Sequence, residues 1–154
     1  MPVRPLKQFL DSHGVQYTTI DHPLAFTAKE TASSARLAGN ELAKTVMVKV
    51  DGVMAMAVLP SSSTIDFEKL KEVCRAEHVS LATEQEFRDR FPDCELGAMP
   101  PFGNLYGMNV LVARDLADDR EIAFSAGNHR ELIRMSYRDF EQLVQPKILK
   151  FSAI

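Results

Sequence analysis

Cysteine is scarce: two of 154 residues, Cys74 and Cys94. Neither belongs to a C-x-x-C pair and no paired histidine motif stands nearby, so zinc-finger patterns are excluded and a metal site is not expected. With no secretory features around them, both are read as free thiols. An excess of positive charge is also missing, since 18 Lys+Arg face 21 Asp+Glu for a formal net charge of −3. That balance excludes a uniformly basic nucleic-acid binder, so any contact with RNA or DNA must use a local patch and few phosphates, and no DNA partner is expected. Long apolar runs are absent too. The longest, Val53 to Leu59, is far short of the ~20 residues that cross a bilayer. The opening Met1-Pro2-Val3-Arg4-Pro5 has no signal-peptide core. The expectation is a soluble, cytoplasmic protein with no membrane contact.

Nothing divides the chain: low-complexity tracts, charge blocks and internal repeats are all lacking. One domain over residues 1–154 is therefore expected, long enough to bury a core without a staple. Pro5–Ser12 reads as a helix ended by Gly14, and Val15–Ile20 alternates apolar with polar as a half-buried strand does. Thr27-Ala28-Lys29-Glu30 is a capping box whose helix should run to about Leu37, before a turn at Gly39-Asn40. Lys44–Val50 and Val53–Leu59 flank Asp51-Gly52, a hairpin signal. A helix is expected over Asp66–Arg75, a strand over Val79–Leu81, and a second capping box at Thr83-Glu84-Gln85-Glu86. Met108–Ala113 and Glu121–Ser125 suggest another hairpin around Asp118-Asp119. Arg130–Met135 reads as a strand, and Ser136 opens a last helix ending before Pro146. Hairpins and capped helices alternate irregularly, unlike a doubly wound sheet. The fold class is mixed α/β: a largely antiparallel sheet, partly barrel-like, with surrounding helices.

Three segments can carry chemistry. Lys44, at the start of a predicted strand, shares a face with Val46, Val48 and Val50. An inward ammonium is costly unless it meets an anion or a cleft; the alternative is a fraying strand end turned to solvent. The second segment is Gly97-Ala98-Met99-Pro100-Pro101-Phe102-Gly103. Its glycines allow close backbone approach and its prolines stiffen the chain, so its amides can position a water or an oxyanion; an ordinary surface loop has the same composition. No G-x-G-x-x-G or Walker pattern is present. The third is Gly127-Asn128-His129, where the imidazole can face a pocket and move or hold a proton, or be a structural residue.

In this order, the segments resemble the YbaK/ProX family of prolyl-tRNA synthetase-associated editing domains. The likeness also takes in the strand Val15–Asp21 with His22-Pro23, the helix capped at Thr27, and Ala43-Lys44-Thr45. It extends to Ser136-Tyr137-Arg138-Asp139-Phe140, so that nearly the whole chain is covered. The resemblance implies a hydrolase that removes a wrong amino acid from tRNA, without cofactor or metal. Lys44 matches the family's pocket lysine, set against the RNA 3′ end. The loop around Gly97, with Met99, Pro101, Phe102 and Gly103, matches the segment that holds the aminoacyl group or the water. His129 with Gly127-Asn128 matches an alanine-specific branch, whereas Lys44-Thr45 matches a cysteine-editing branch. Lys44, Gly97 and His129 are thereby implied in catalysis, and Thr45, Met99, Pro101, Phe102, Gly103, Gly127 and Asn128 in substrate binding.

The implied partners are the aminoacylated acceptor end of a tRNA, that of tRNA-Pro carrying alanine or cysteine, and a prolyl-tRNA synthetase. Arg130, Arg134, Arg138, Lys147 and Lys150 would help grip the RNA tip or form a solvated rim. Two other functions remain open from the sequence: a non-catalytic adaptor for tRNA or a synthetase, and a hydrolase of small free esters.

Overall fold

Asp51 and Gly52 both adopt positive φ, 50° and 82°, the pairing that lets a two-residue turn follow the twist of its strands. The computed structural model, which describes residues 2–35 and 41–153, places this turn between the two longest strands. In chain order α1 (Arg4–Ser12), β1 (Tyr17–Asp21) and α2 (Ala28–Ser34) precede the hairpin of β2 (Ala43–Val50) and β3 (Val53–Pro60). There follow β4 (Thr64–Ile65), α3 (Phe67–Cys74), β5 (Val79–Leu81), α4 (Glu84–Phe87), β6 (Asn109–Ala113) and α5 (Arg114–Ala117). The chain closes with β7 (Glu121–Ser125), β8 (Glu131–Ser136), α6 (Tyr137–Val144), β9 (Lys147–Leu149) and β10 (Ser152–Ala153).

The strands form a five-stranded sheet in the order β5-β2-β3-β6-β9, a three-stranded sheet β1-β8-β7, and a β4/β10 pair. Among the described residues five of the seven strand pairings are antiparallel; β3/β6 and β6/β9 are parallel. A bridge between Leu42 and Ala123 links the two larger sheets. Together they curl around one core, to which Met47, Met56, Val58, Val110 and Val112 contribute from one sheet and Ile122, Phe124, Ile133 and Met135 from the other. Leu6 and Leu10 of α1 and Phe140 and Val144 of α6 pack into it. The opposite face of the large sheet carries Val48, Ala55, Ala57, Leu59, Leu111 and Ala113 under Leu70 of α3. Its central strands are thus apolar on both sides, as a sheet covered on both faces requires. The class is mixed α/β, as expected.

Helix starts were legible. Thr27 accepts the Glu30 backbone N–H at 3.0 Å, although the Glu30 carboxylate accepts the Thr27 hydroxyl at 3.1 Å and so does not complete a backbone capping box. The expected run to Leu37 and the turn at Gly39-Asn40 lie outside the described residues. At Thr83 the box is complete: its hydroxyl accepts the Glu86 N–H at 3.2 Å and its own N–H donates to Glu86 at 2.8 Å. Lys49 joins Glu86 at 2.6 Å. The Lys49 ammonium first, and the Thr83 backbone N–H second, hold the Glu86 carboxyl down from 4.5 to about 2. Its contribution to stability is therefore complete above about 4.5 and is lost as pH falls through about 2. Lys49→Ala is expected to move the Glu86 titration upward, but short of 4.5 because the Thr83 contacts persist. Carboxyl NMR titration measures this, and an unmoved midpoint would remove Lys49 as the main cause.

One expectation is corrected. β6 and β7 do not form a hairpin: β6 lies between β3 and β9, and β7 pairs with β8. Asp118-Asp119 ends α5 instead of turning one strand back on the next. The actual hairpin joins β7 to β8 through residues 126–130.

Candidate active site

The strand register decides where Lys44 stands. It lies opposite Leu59, and directly opposed residues share a face; Leu59 belongs to the face packed under α3. The predicted valine side is correct, since Val46, Val48 and Val50 pack there as well. At the strand's beginning, past the last of these valines, Lys44 lines a cavity of about 200 Å³, half-buried. From the described residues no ion pair or hydrogen bond reaches its ammonium. Burial alone pushes Lys44 below its ordinary 10.5. An uncompensated, partly dried cation on a cavity wall is a site prepared for an anion or for electron-rich oxygens.

Gly97, Met99 and His129 line the same cavity, as do Leu42, Ala43 and Thr45 next to Lys44 in the chain. Gly97 takes φ +87°, a left-handed backbone conformation that favours glycine, and its Cα side faces the His129 ring, whose Cε1 would meet a Cβ at an ordinary contact distance of 3.4 Å. The Gly97 N–H points to the Met99 sulfur at 3.2 Å, a weak acceptor that a better one can displace. His129 is buried, with 8% exposure. Its ring is fixed because Nε2 lies 2.8 Å from the Leu96 carbonyl. A carbonyl only accepts, so Nε2 carries the proton of this bond, and in the neutral ring Nδ1 is the acceptor. The His129 backbone N–H donates to Glu95 at 3.0 Å, and its carbonyl accepts the Ala25 N–H at 3.2 Å.

Five of the ten expected site residues, Lys44, Thr45, Gly97, Met99 and His129, therefore meet on one cavity. The other five do not line it. Phe102 is fully buried among Phe9, Phe124 and Phe140, with ring centroids 6.0, 5.4 and 5.4 Å away. Pro101 is buried beside it. Gly103 serves packing, because a Cβ there would fall 2.6 Å from the Met108 carbonyl oxygen. Gly127, at φ +101°, makes room for Val3, whose Cγ1 would meet a Cβ at 2.3 Å. Asn128 shapes the β7/β8 turn, accepting the Arg130 N–H at 2.9 Å and donating to Glu131 at 3.2 Å. The expected C-terminal basic group is dispersed as well: Arg134 is on β8, Arg138 on α6, and Lys147 and Lys150 flank opposite ends of β9.

Several cavity residues went unread in the sequence. Phe26 is 63% exposed, and its ring lies 5.0 Å from the His129 ring at the cavity. Thr27, Thr31 and Ser125 add hydroxyls to the wall. The readable signal was Leu24 and Phe26, large apolar groups in an aperiodic polar stretch, since exposed apolar surface marks binding sites. Among the described residues no three His, Cys, Asp or Glu side chains gather as a metal cage, and no helix is long and apolar enough to cross a membrane.

The described residues thus build one small cavity, lined by an uncompensated lysine and part of a glycine-rich segment, between the two larger sheets. The sequence profile of the aminoacyl-tRNA editing domain matches residues 22–143, and the chain belongs to that family, the YbaK family. Among curated proteins nothing matches the sequence. Among solved structures, the hypothetical protein APE2540 superposes with a TM-score of 0.86 at 18% identity, over 97% of this chain and 100% of that one. A proposed trans-editing enzyme for prolyl-tRNA synthetase gives 0.81 at 18% identity, over 98% and 96%. A proposed signal transduction protein from Marinobacter aquaeolei VT8 gives 0.77 at 16% identity, over 97% of this chain but 30% of that longer one. At these identities the likeness establishes the fold.

Proposed function

We propose that the protein is an aminoacyl-tRNA deacylase, which hydrolyses the ester of a small wrong amino acid, alanine or cysteine, on tRNA-Pro. The observation that carries the reading is the Lys44 ammonium, half-buried and unpaired among the described residues, lining one cavity of about 200 Å³ with Gly97 and His129. That volume is smaller than the roughly 300–1,000 Å³ of sites for drug-sized ligands. It suits an aminoacyl group on a ribose, not a whole nucleotide. A synthetase tells substrates one methylene apart by only ~1–3 kcal/mol, so a second, smaller site is needed to remove the errors. The family membership, and a structural relative proposed as a trans-editing enzyme, support the same chemistry.

In this reading water adds to the ester carbonyl carbon, the bond from that carbon to the ribose oxygen breaks, and the proton released by water passes to the leaving ribose hydroxyl. The adjacent ribose hydroxyl can relay it. No strong protein nucleophile is required, only positioning and charge stabilisation. The Gly97 N–H exchanges the Met99 sulfur for the developing oxyanion. Lys44 holds the terminal phosphate or ribose as a point charge. His129, locked through Leu96, offers Nδ1 to orient the water or the substrate ammonium. Phe26 supplies an exposed face on which a terminal base can stack. The acceptor end of tRNA is the partner, and a prolyl-tRNA synthetase is the source of the mischarged substrate.

The test is a panel of tRNA-Pro charged with alanine, cysteine or proline, assayed for release of the amino acid. Alanyl or cysteinyl ester should be hydrolysed at least ten times faster than prolyl ester. Binding of all three without turnover would make the protein a recognition module instead. Equal turnover of an aminoacyl ester lacking RNA would make it a general esterase.

A further inference from the structure

The two parallel pairings bring several strand ends to one edge of the five-stranded sheet. β3, β6 and β9 run the same way and β2 runs back against β3. Lys44 is opposite Leu59; the β3/β6 register, continued by one residue, sets Leu59 level with Ala113, which lies opposite Leu149. Arg114 and Lys150 come immediately after these last two residues. At ~4.8 Å between neighbouring strands, the ends of β6 and β9 lie about 10 and about 14 Å from Lys44 across the sheet.

Arg114, Lys150 and Lys69 of α3 surround a hollow of about 450 Å³ whose lining includes buried Phe151. No ion pair engages any of the three from the described residues. Two carboxylates at this edge already have donors. Asp66 accepts the Lys69 backbone N–H at 3.1 Å, and Asp115 accepts the Ser152 hydroxyl at 3.0 and 3.1 Å. Glu68 is exposed on α3 beside them. In a chain of net charge −3, this edge sets Lys44, Lys69, Arg114 and Lys150 against Asp66, Glu68 and Asp115, a small local excess of positive charge.

We infer that this edge is a phosphate track, along which an RNA strand leaves the cavity at Lys44 and crosses the ends of β3, β6 and β9 toward Arg114, Lys69 and Lys150. The direction of the track rests on the deacylase reading, which puts the charged 3′ end in the cavity. A span of about 10–14 Å accommodates three or four stacked nucleotides at ~3.4 Å each. The contacts are to backbone charge, so the track binds without reading sequence.

The experiment measures binding of uncharged tRNA-Pro transcript to the intact protein from 50 to 300 mM KCl, by fluorescence anisotropy. Each single-strand phosphate contact contributes about −0.7 to the slope of log affinity against log salt. R114A/K150A should weaken binding by about tenfold and flatten the slope by about 1.4, while R114K/K150R keeps both near wild type. All three residues are exposed, and unchanged circular dichroism checks the fold. An unaltered affinity and slope in R114A/K150A would overturn the track, as would failure of the wild type to bind the transcript at 50 mM. The two proposals separate cleanly. Weakened binding in a protein with no turnover removes the deacylase reading alone, and turnover with unaltered binding removes the track alone.

Discussion

Lys44→Ala is expected to lower kcat/KM for hydrolysis of mischarged tRNA by ~10–10²-fold, the usual cost of losing one charge-assisted contact to the substrate. The same substitution should leave stability unchanged or slightly raised. The ammonium has no partner among the described residues to lose, and burial already works against its charge. The pH dependence has opposite signs for folding and for activity. Because the folded chain holds this proton less tightly than the unfolded chain, the penalty for burying the charge is fully present at neutral pH. It is relieved as pH rises through the lowered folded value toward 10.5, so stability from this group increases with pH. Activity falls over the same range, since the neutral amine holds no phosphate. A pH–rate profile should show an alkaline limb below 10.5, displaced upward in Lys44→Arg, whose charge persists. Full activity in Lys44→Ala would end the proposed mechanism.

Phe102→Ala should do the reverse, destabilising the protein by about 3–5 kcal/mol while sparing the chemistry of molecules that remain folded. Phe102 is the hub of three aromatic contacts, at 6.0 Å to Phe9 and 5.4 Å to both Phe124 and Phe140. Those partners come from α1, β7 and α6, so the ring ties three elements to the loop that carries Gly97. Urea denaturation reads the loss directly. A drop below about 1 kcal/mol would mean the loop packs independently of the core. A substrate-contacting Phe102 would instead raise KM with little change in stability. The two variants thus separate cavity from core.

That contrast shows where sequence reading stopped. Glycine, proline and phenylalanine between residues 97 and 103 mark a stiff, closely approached segment, but composition does not say which residue faces which side. The structure sends Gly97 and Met99 to the cavity and Pro101, Phe102 and Gly103 to the interior. Local signals were readable wherever the physics is local: the Asp51-Gly52 turn, the caps at Thr27, Thr83 and Ser136, and the alternation that turned Lys44 with its valines. The supposed hairpin at Asp118-Asp119 failed for the complementary reason. β6 finds its partners in β3 and β9, and no turn residue records a pairing so distant along the chain. Phe26 escaped notice because an exposed ring in a loop has no periodicity to betray it.

The parallel pairing of Val58 with Val112 has a consequence for how the molecule is made. The residues lining the cavity fall in two stretches, 26–45 and 97–129, and the second cannot join the first until β6 has settled beside β3. During synthesis the early hairpin will have left the ribosome while the histidine wall is still unmade. The cavity is therefore closed only after the β7/β8 turn has been made, well after its first wall.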